Sequence, residues 1–170
     1  MSRVNHGIIL PSYQQDYINL TKGDSIAGLI ENHSEPLLAF YKSLPEEKAD
    51  YSYAEGKWTV KQLLQHVIDT ERILTYRAMS LSRNESIPFH SFNQGNYANF
   101  APASHRTLAS LKEEFVLLRK SSDILLTSFT EEQLNRRGVV NNNIIAVNTI
   151  CYILFGHIIH HQNILQEKYL

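Results

Sequence analysis

The stretch Gly156-His157-Ile158-Ile159-His160-His161 sets three histidines inside a run that is otherwise almost wholly apolar. On a helix turning about 100° per residue, His157 and His161 lie one turn apart on the same face, and His160 falls roughly 60° from His157, toward one edge. Val147, Ile150, Ile153, Leu154, Ile158, Ile164 and Leu165 define an apolar arc with His157 and His161 near its middle. A buried polar group without a partner costs roughly 1–3 kcal/mol on mutational scales, and charging both rings adds repulsion. A divalent ion answers both problems, because each neutral imidazole offers it a lone pair.

Two ligands hold an ion weakly, so a third is expected from another helix. His6 lies in an N-terminal arm, His33 in the middle of a first helix, and His90 and His105 in or beside a long loop. His66, mid-way along a second helix at the margin of its apolar face, is the expected third ligand. Taken alone, a histidine in such a place is more often bonded to a carbonyl. Three imidazoles leave coordination positions open, which is the character of a catalytic rather than a structural site. His160 is expected beside this set, holding a ligand in place. The bland alternative for all of them is core histidines satisfied by their neighbours.

Other chemistries fit the same residues less well, a bis-histidine haem bundle being the hardest of them to set aside. A zincin needs H-E-x-x-H with the glutamate as base, and Ile158 occupies the glutamate position. A di-iron bundle needs two Glu-x-x-His motifs, and the sequence has none. A bis-histidine haem site would leave one histidine surplus. Glu71 falls within the apolar arc of the second helix, where a carboxylate is rare unless paired. An arginine or tyrosine partner is expected for it, with general base or pocket residue as the alternative. Cys151 reads as a small core residue. Glycine-rich phosphate loops, Ser-His-Asp arrangements and CxxC pairs are all missing.

The elements that position these residues repeat at helical spacing. After an arm carrying Tyr13 and Tyr17, Asp24 or Ser25 can cap a helix to about Leu44, kinked at Pro36. Thr59 and Gln62 form a capping box, stapled by Trp58 and Leu63. They open a helix marked by Val60, Leu64, Val67, Leu74, Ala78 and Leu81 and ending near Asn84. Residues 84–103 hold two prolines, one glycine and four aromatics without a period. A connection this long usually covers a site, which makes Tyr97 a pocket candidate. Ser104 can cap a third helix along Leu108, Leu111, Phe115, Leu118, Leu125 and Phe129. Thr130 and Gln133 open a short helix closed by Gly138, "VVNNN" is a turn-rich break, and a last helix runs from about Ile145 to the end. Four long helices so connected predict an all-α four-helix bundle.

With 170 residues, one domain spanning 1–170 is expected. Sixteen Lys and Arg against 17 Asp and Glu, with no basic block, give no electrostatic reason for nucleic acid or an anionic membrane as partner. The lone Cys151 cannot form an internal disulfide, and the N-terminal apolar run is too short for a signal peptide. A cytoplasmic protein without a membrane span is expected.

Three stretches carry a family likeness: "YAEGKWTVKQLLQHVIDTERILTYRAMSLSRNE" (53–85), the "IPFHSFNQGNY" after it, and the terminal "GHIIHHQNILQEKYL". With them the chain resembles the DinB/YfiT-like superfamily of bacterial metal-binding four-helix bundles, over most of its length. The resemblance implies an up-down-down-up bundle whose long second-to-third connection matches 84–103, a metal triad at His66, His157 and His161, and a homodimer. It also implies one of two activities: a transferase or isomerase acting with a low-molecular-weight thiol, or a metal-dependent hydrolase. Relatives commonly have an acid where Asn93 stands and several have Glu where Ile158 stands, so no carboxylate at those positions does acid–base work here. The leading expectation is an enzyme whose divalent ion activates a small thiol or water against a small electrophilic substrate. The rival is a non-catalytic, metal-dependent structural or stress-associated bundle. Zinc is the expected ion, although nickel, copper, iron or manganese fit the same ligands.

Overall fold

The elements of the computed structural model, which describes residues 8–101 and 103–170, follow largely from local caps. They are α1 (Ser12–Asn19), α2 (Ile26–Lys42), α3 (Val60–Ser82), α4 (Gln94–Phe100), α5 (Leu108–Thr127), α6 (Glu131–Asn135), strands β1 (Arg137–Val140) and β2 (Asn143–Ala146), and α7 (Val147–Ile164). The Ser25 hydroxyl accepts from the Gly28 amide and starts α2, with Pro36 inside the helix. Both expected capping boxes form, Thr59 with Gln62 at α3 and Thr130 with Gln133 at α6. His6 lies outside the described residues.

Several boundaries differ from expectation. The tyrosine-bearing arm contains a two-turn helix, α1, entered through Pro11. The third long helix is capped by Thr107, accepting from Ser110, not by Ser104, which lies in a separate 3-10 turn. Gly138 does not close α6. It lies in β1, paired with Ile145 of β2, because the Asn-rich break makes a tight hairpin turn with Asn141 and Asn142 at φ 52° and 62°. Asparagine tolerates that left-handed backbone. The last helix therefore begins at Val147. The connection after α3 contains α4, and its Phe89 bridges to β1: the Phe89 amide donates to the Val139 carbonyl and the Asn141 amide to the Phe89 carbonyl.

The four long helices bury one another's apolar faces. α3 packs on α5 and α7, and α2 packs on the same two, so their order around the core is α2, α5, α3, α7. Leu29, Tyr41, Leu64, Val67, Phe115, Phe155 and Ile158 are among the buried core residues. On α5 the inward stripe runs Leu108, Leu111, Phe115, Arg119, Ser122 and Leu126, leaving Leu118 and Leu125 only partly covered. That stripe obeys the helical period, and it puts an arginine in the core. No helix among the described residues is long and apolar enough to cross a membrane.

α1 lies directly on α7, and the opening motif supplies the reason: a Cβ at Gly156 would collide with the Tyr17 backbone carbonyl. Backbone cannot yield as a flexible side chain can. Gly156→Ala is therefore expected to push α1 off α7 and cost about 1–3 kcal/mol, the range for overpacking a close contact. Urea unfolding measures it, and an unchanged midpoint would contradict the contact.

Candidate metal centre

α3 and α7 carry three imidazoles to one point. His66 Nε2 lies 3.0 Å from His157 Nε2, and His161 Nε2 lies 3.1 Å from the same atom. The three donor nitrogens fall within 4.8 Å of one another, and all three residues are buried. A neutral ring nitrogen carries either one proton or one lone pair. His157 Nε2 can therefore make one good hydrogen bond, and the structure presses two neighbours on it. Protonating a ring does not relieve this, because burial already disfavours charge. The His66 pKa falls to about 4 and that of His161 to about 3, and His157 lies well below the usual value; burial is the largest cause in each, followed by repulsion from neighbouring histidines.

A shared cation relieves it. Nitrogens bound to one ion at about 2.0–2.1 Å sit roughly 3.0–3.4 Å apart in octahedral or tetrahedral arrangement, which matches the two close contacts. The residues present thus fit a divalent ion, and no fourth His, Cys, Asp or Glu joins the group among the described residues. Trp58 packs over His66 at 4.8 Å between ring centroids, and Tyr17 meets His157 edge-on at 5.7 Å. The other nitrogen of His161, Nδ1, is buried with no hydrogen-bond partner.

The depressed pKa values set an acid sensitivity. In the unfolded chain these rings take protons near pH 6.5, but in the fold only near the values above. Between the two the unfolded state holds more protons, so stability falls as pH drops. Metal-free protein is expected to be unaffected by these groups above about pH 6.5 and to lose stability from there down through about pH 4 and about pH 3. His66 alone contributes on the order of 3 kcal/mol to that loss. Urea midpoints between pH 7 and pH 4, wild type beside His66→Leu, measure it; parallel curves for the two proteins would contradict the burial of a neutral ring.

A cavity of about 620 Å³ reaches His66 and His157. Its walls come from Tyr13, Gln14 and Tyr17 of α1, from Thr70, Leu74 and Arg77 of α3, from residues 91–94 of the long connection, from Val140 and Asn141 at the hairpin turn, and from Ile153 of α7. The connection after α3 therefore does border the site. Tyr97 does not line the cavity; it is half exposed and meets the ring of Phe92, which does, edge-on. His160 stands beside the triad, 5.1 Å from His161 and 5.3 Å from Tyr17 between centroids, and makes no hydrogen bond to a triad ring. Glu71 is no pocket residue. It is buried in the core, 2.8 Å from Arg119 Nη1, with burial raising its carboxyl and the guanidinium opposing that rise. His33 accepts from the Lys22 amide, away from the triad, and His90 and His105 are exposed. Cys151 is buried, its thiol pushed up to about 12 by desolvation, which makes it an inert core residue.

Sequence reasoning missed the α1 wall and Arg77. Both left signals: Tyr13 and Tyr17 follow Pro11 at helical spacing, and Arg77 is eleven residues beyond His66, three turns along the same face.

A family model described as the DinB superfamily matches residues 29–165. No curated protein matches in sequence. Among solved structures, the chain is similar to YfiT from Bacillus subtilis, described as a probable metal-dependent hydrolase with an unusual four-helix bundle topology. The TM-score is 0.71 at 16% identity, covering 96% of this chain and 90% of that one. At that identity the likeness shows a shared fold, a four-helix bundle.

Proposed function

The chain belongs to the DinB superfamily, and from that premise we propose that it is a divalent-metal-dependent enzyme acting on a small molecule, with His66, His157 and His161 as metal ligands. The observation that carries the reading is three buried Nε2 atoms converging where a cavity of about 620 Å³ ends. A purely structural ion would be enclosed by four side chains. Here three histidines form the set and the cavity reaches two of them.

An ion held by these three rings would supply Lewis acidity, which would lower the pKa of a water or small thiol there into the neutral range. The chain's own residues prepare that chemistry. Burial keeps the three rings neutral, so their lone pairs are free at neutral pH. Trp58, Tyr17 and the α1 backbone on Gly156 fix the rings and exclude water from one side. No described acid lines the cavity, so a proton released from the nucleophile has no carboxylate to receive it there. That favours a nucleophile which is deprotonated by coordination alone, as a thiol is more readily than water. YfiT, with its description as a probable metal-dependent hydrolase, is the support for the hydrolytic alternative.

Several finer features belong to the same reading. Zinc is the first choice of ion and nickel the second. The up-down-down-up order is supported by cross-helix contacts: Gln65 with Arg106, just ahead of α5, and Glu71 with Arg119 run the same way along α3 and α5, while Trp58 with Tyr169 and His66 with His157 run opposite ways along α3 and the last helix. A homodimer and a reducing cytoplasm complete it. The test is turnover of a model electrophile by zinc-loaded protein with a panel of small thiols and with water alone. The proposal expects thiol-dependent turnover that is absent in folded His157→Ala. Turnover without thiol would select the hydrolase, and no turnover with an intact metal would favour the non-catalytic bundle.

A further inference from the structure

The end of the cavity away from the triad holds a buried cation. Arg77 lines it, is 9% exposed, and forms no ion pair among the described residues. Its Nη2 donates to the His90 carbonyl at 2.6 Å, and its guanidinium faces the Phe92 ring at 5.9 Å. The other arginine of the core shows what such a group ordinarily requires: Arg119 has both Glu71 and Asp123 at 2.8 Å. A guanidinium offers five N–H donors in a planar fork suited to a carboxylate. One is engaged, and no carboxylate among the described residues answers the rest.

The space between is polar in the right places. His66, Thr70, Leu74 and Arg77 form one stripe along α3, and all four line the cavity. Thr70 is buried and its hydroxyl has no partner; one polar atom of the Gln14 amide across the cavity is in the same position. Eleven residues separate His66 from Arg77, roughly 16 Å of helix rise; both side chains lean toward the N-terminal end, the longer arginine further, and a metal bond and a hydrogen bond take up part of the rest. About 10 Å remains for a ligand that spans the two ends.

We propose that the cavity selects a substrate or thiol cosubstrate carrying a carboxylate, with Arg77 as the specificity-determining residue that holds it while the reacting group faces His66, His157 and His161. This rests on the metal-site reading above. The ligand class is then a flexible acid about six heavy atoms long, its far end thiol-bearing or electrophilic. Arg77 positions the molecule and takes no part in bond making.

Titration calorimetry with zinc-loaded protein tests it, using 6-sulfanylhexanoate against 6-sulfanylhexanamide, and hexanoate against hexanamide. Wild type is expected to prefer each acid over its amide by about tenfold or more, as a charge-assisted fork interaction allows. In Arg77→Gln that preference is expected to shrink to within about twofold, mainly through loss of acid affinity. Arg77→Lys, which keeps charge but loses the fork, is expected to fall between and serves should the glutamine variant not fold. Equal binding of acid and amide by wild type overturns the proposal, as does no measurable binding of either acid at millimolar concentration. A preference that survives in Arg77→Gln also overturns it, because the carboxylate would then be sitting on the metal. The thiol-free pair keeps the two readings apart: if the metal reading alone fails, thiols and their thiol-free counterparts bind alike while the acid preference persists.

Discussion

Replacing His157 by alanine is expected to lower the affinity for zinc by at least about a hundredfold. Removing a mere outer partner of a metal ligand costs 10–100-fold, and His157 is the ring both other histidines face. Its loss leaves His66 and His161 with no shared centre. The same change also removes the crowding of two donors on one nitrogen. Metal-free His157→Ala is therefore expected to lose less stability than an ordinary large-to-small core change, for which about 2–5 kcal/mol is usual. Competition with a chromophoric chelator measures the affinity, and urea unfolding with chelator present measures the stability. An affinity within a few-fold of wild type would remove His157 from the site.

The second large effect lies away from the cavity. Arg119→Met leaves Glu71 fully buried without its counter-charge, and breaking such a pair costs about 3–5 kcal/mol. The carboxyl is already raised by burial, with Arg119 the main force opposing that rise. Without the guanidinium it rises further, so the folded state holds a proton that the unfolded state releases above the ordinary carboxylate range. Stability of Arg119→Met is therefore expected to fall as pH rises from about 5 to 8, relative to wild type. The double variant Glu71→Leu/Arg119→Met is expected to recover most of the loss and to lose that pH dependence, since apolar replacement of a buried pair is often neutral. Urea midpoints at four pH values decide it. A single variant as stable as wild type would mean the pair contributes nothing.

Much of this site is legible in the sequence. Caps at Thr59 and Thr130 are local chemistry, a hydroxyl and an amide three residues apart, and both formed. The stacking of His157 on His161 follows from helical period alone, and its apolar surroundings made partners necessary. Choosing His66 needed more, because nothing within α3 tells which histidine another helix will meet; family likeness pointed to the same residue. Glu71 was expected to find a cation, but its partner on α5 depended on which helices are neighbours. The misses have a common cause. α1 packs against α7 where Gly156 lets the two backbones touch, a contact between residues far apart in sequence. The hairpin at Arg137–Ala146 is short, and its strand pairing hangs on two asparagines in left-handed conformation and on Phe89 from the connection after α3. Arg77 shares a face of α3 with His66, but only the cavity shows that it borders the same space.

Metal content of tag-free protein, purified without chelator, tests the central claim most directly. About one divalent ion per chain, sharply reduced in His66→Ala, His157→Ala and His161→Ala alike, is the result this account predicts. Wild-type protein that is folded, metal-free and unable to take up zinc or nickel when offered them would contradict it, and the three rings would then be core histidines bonded to one another.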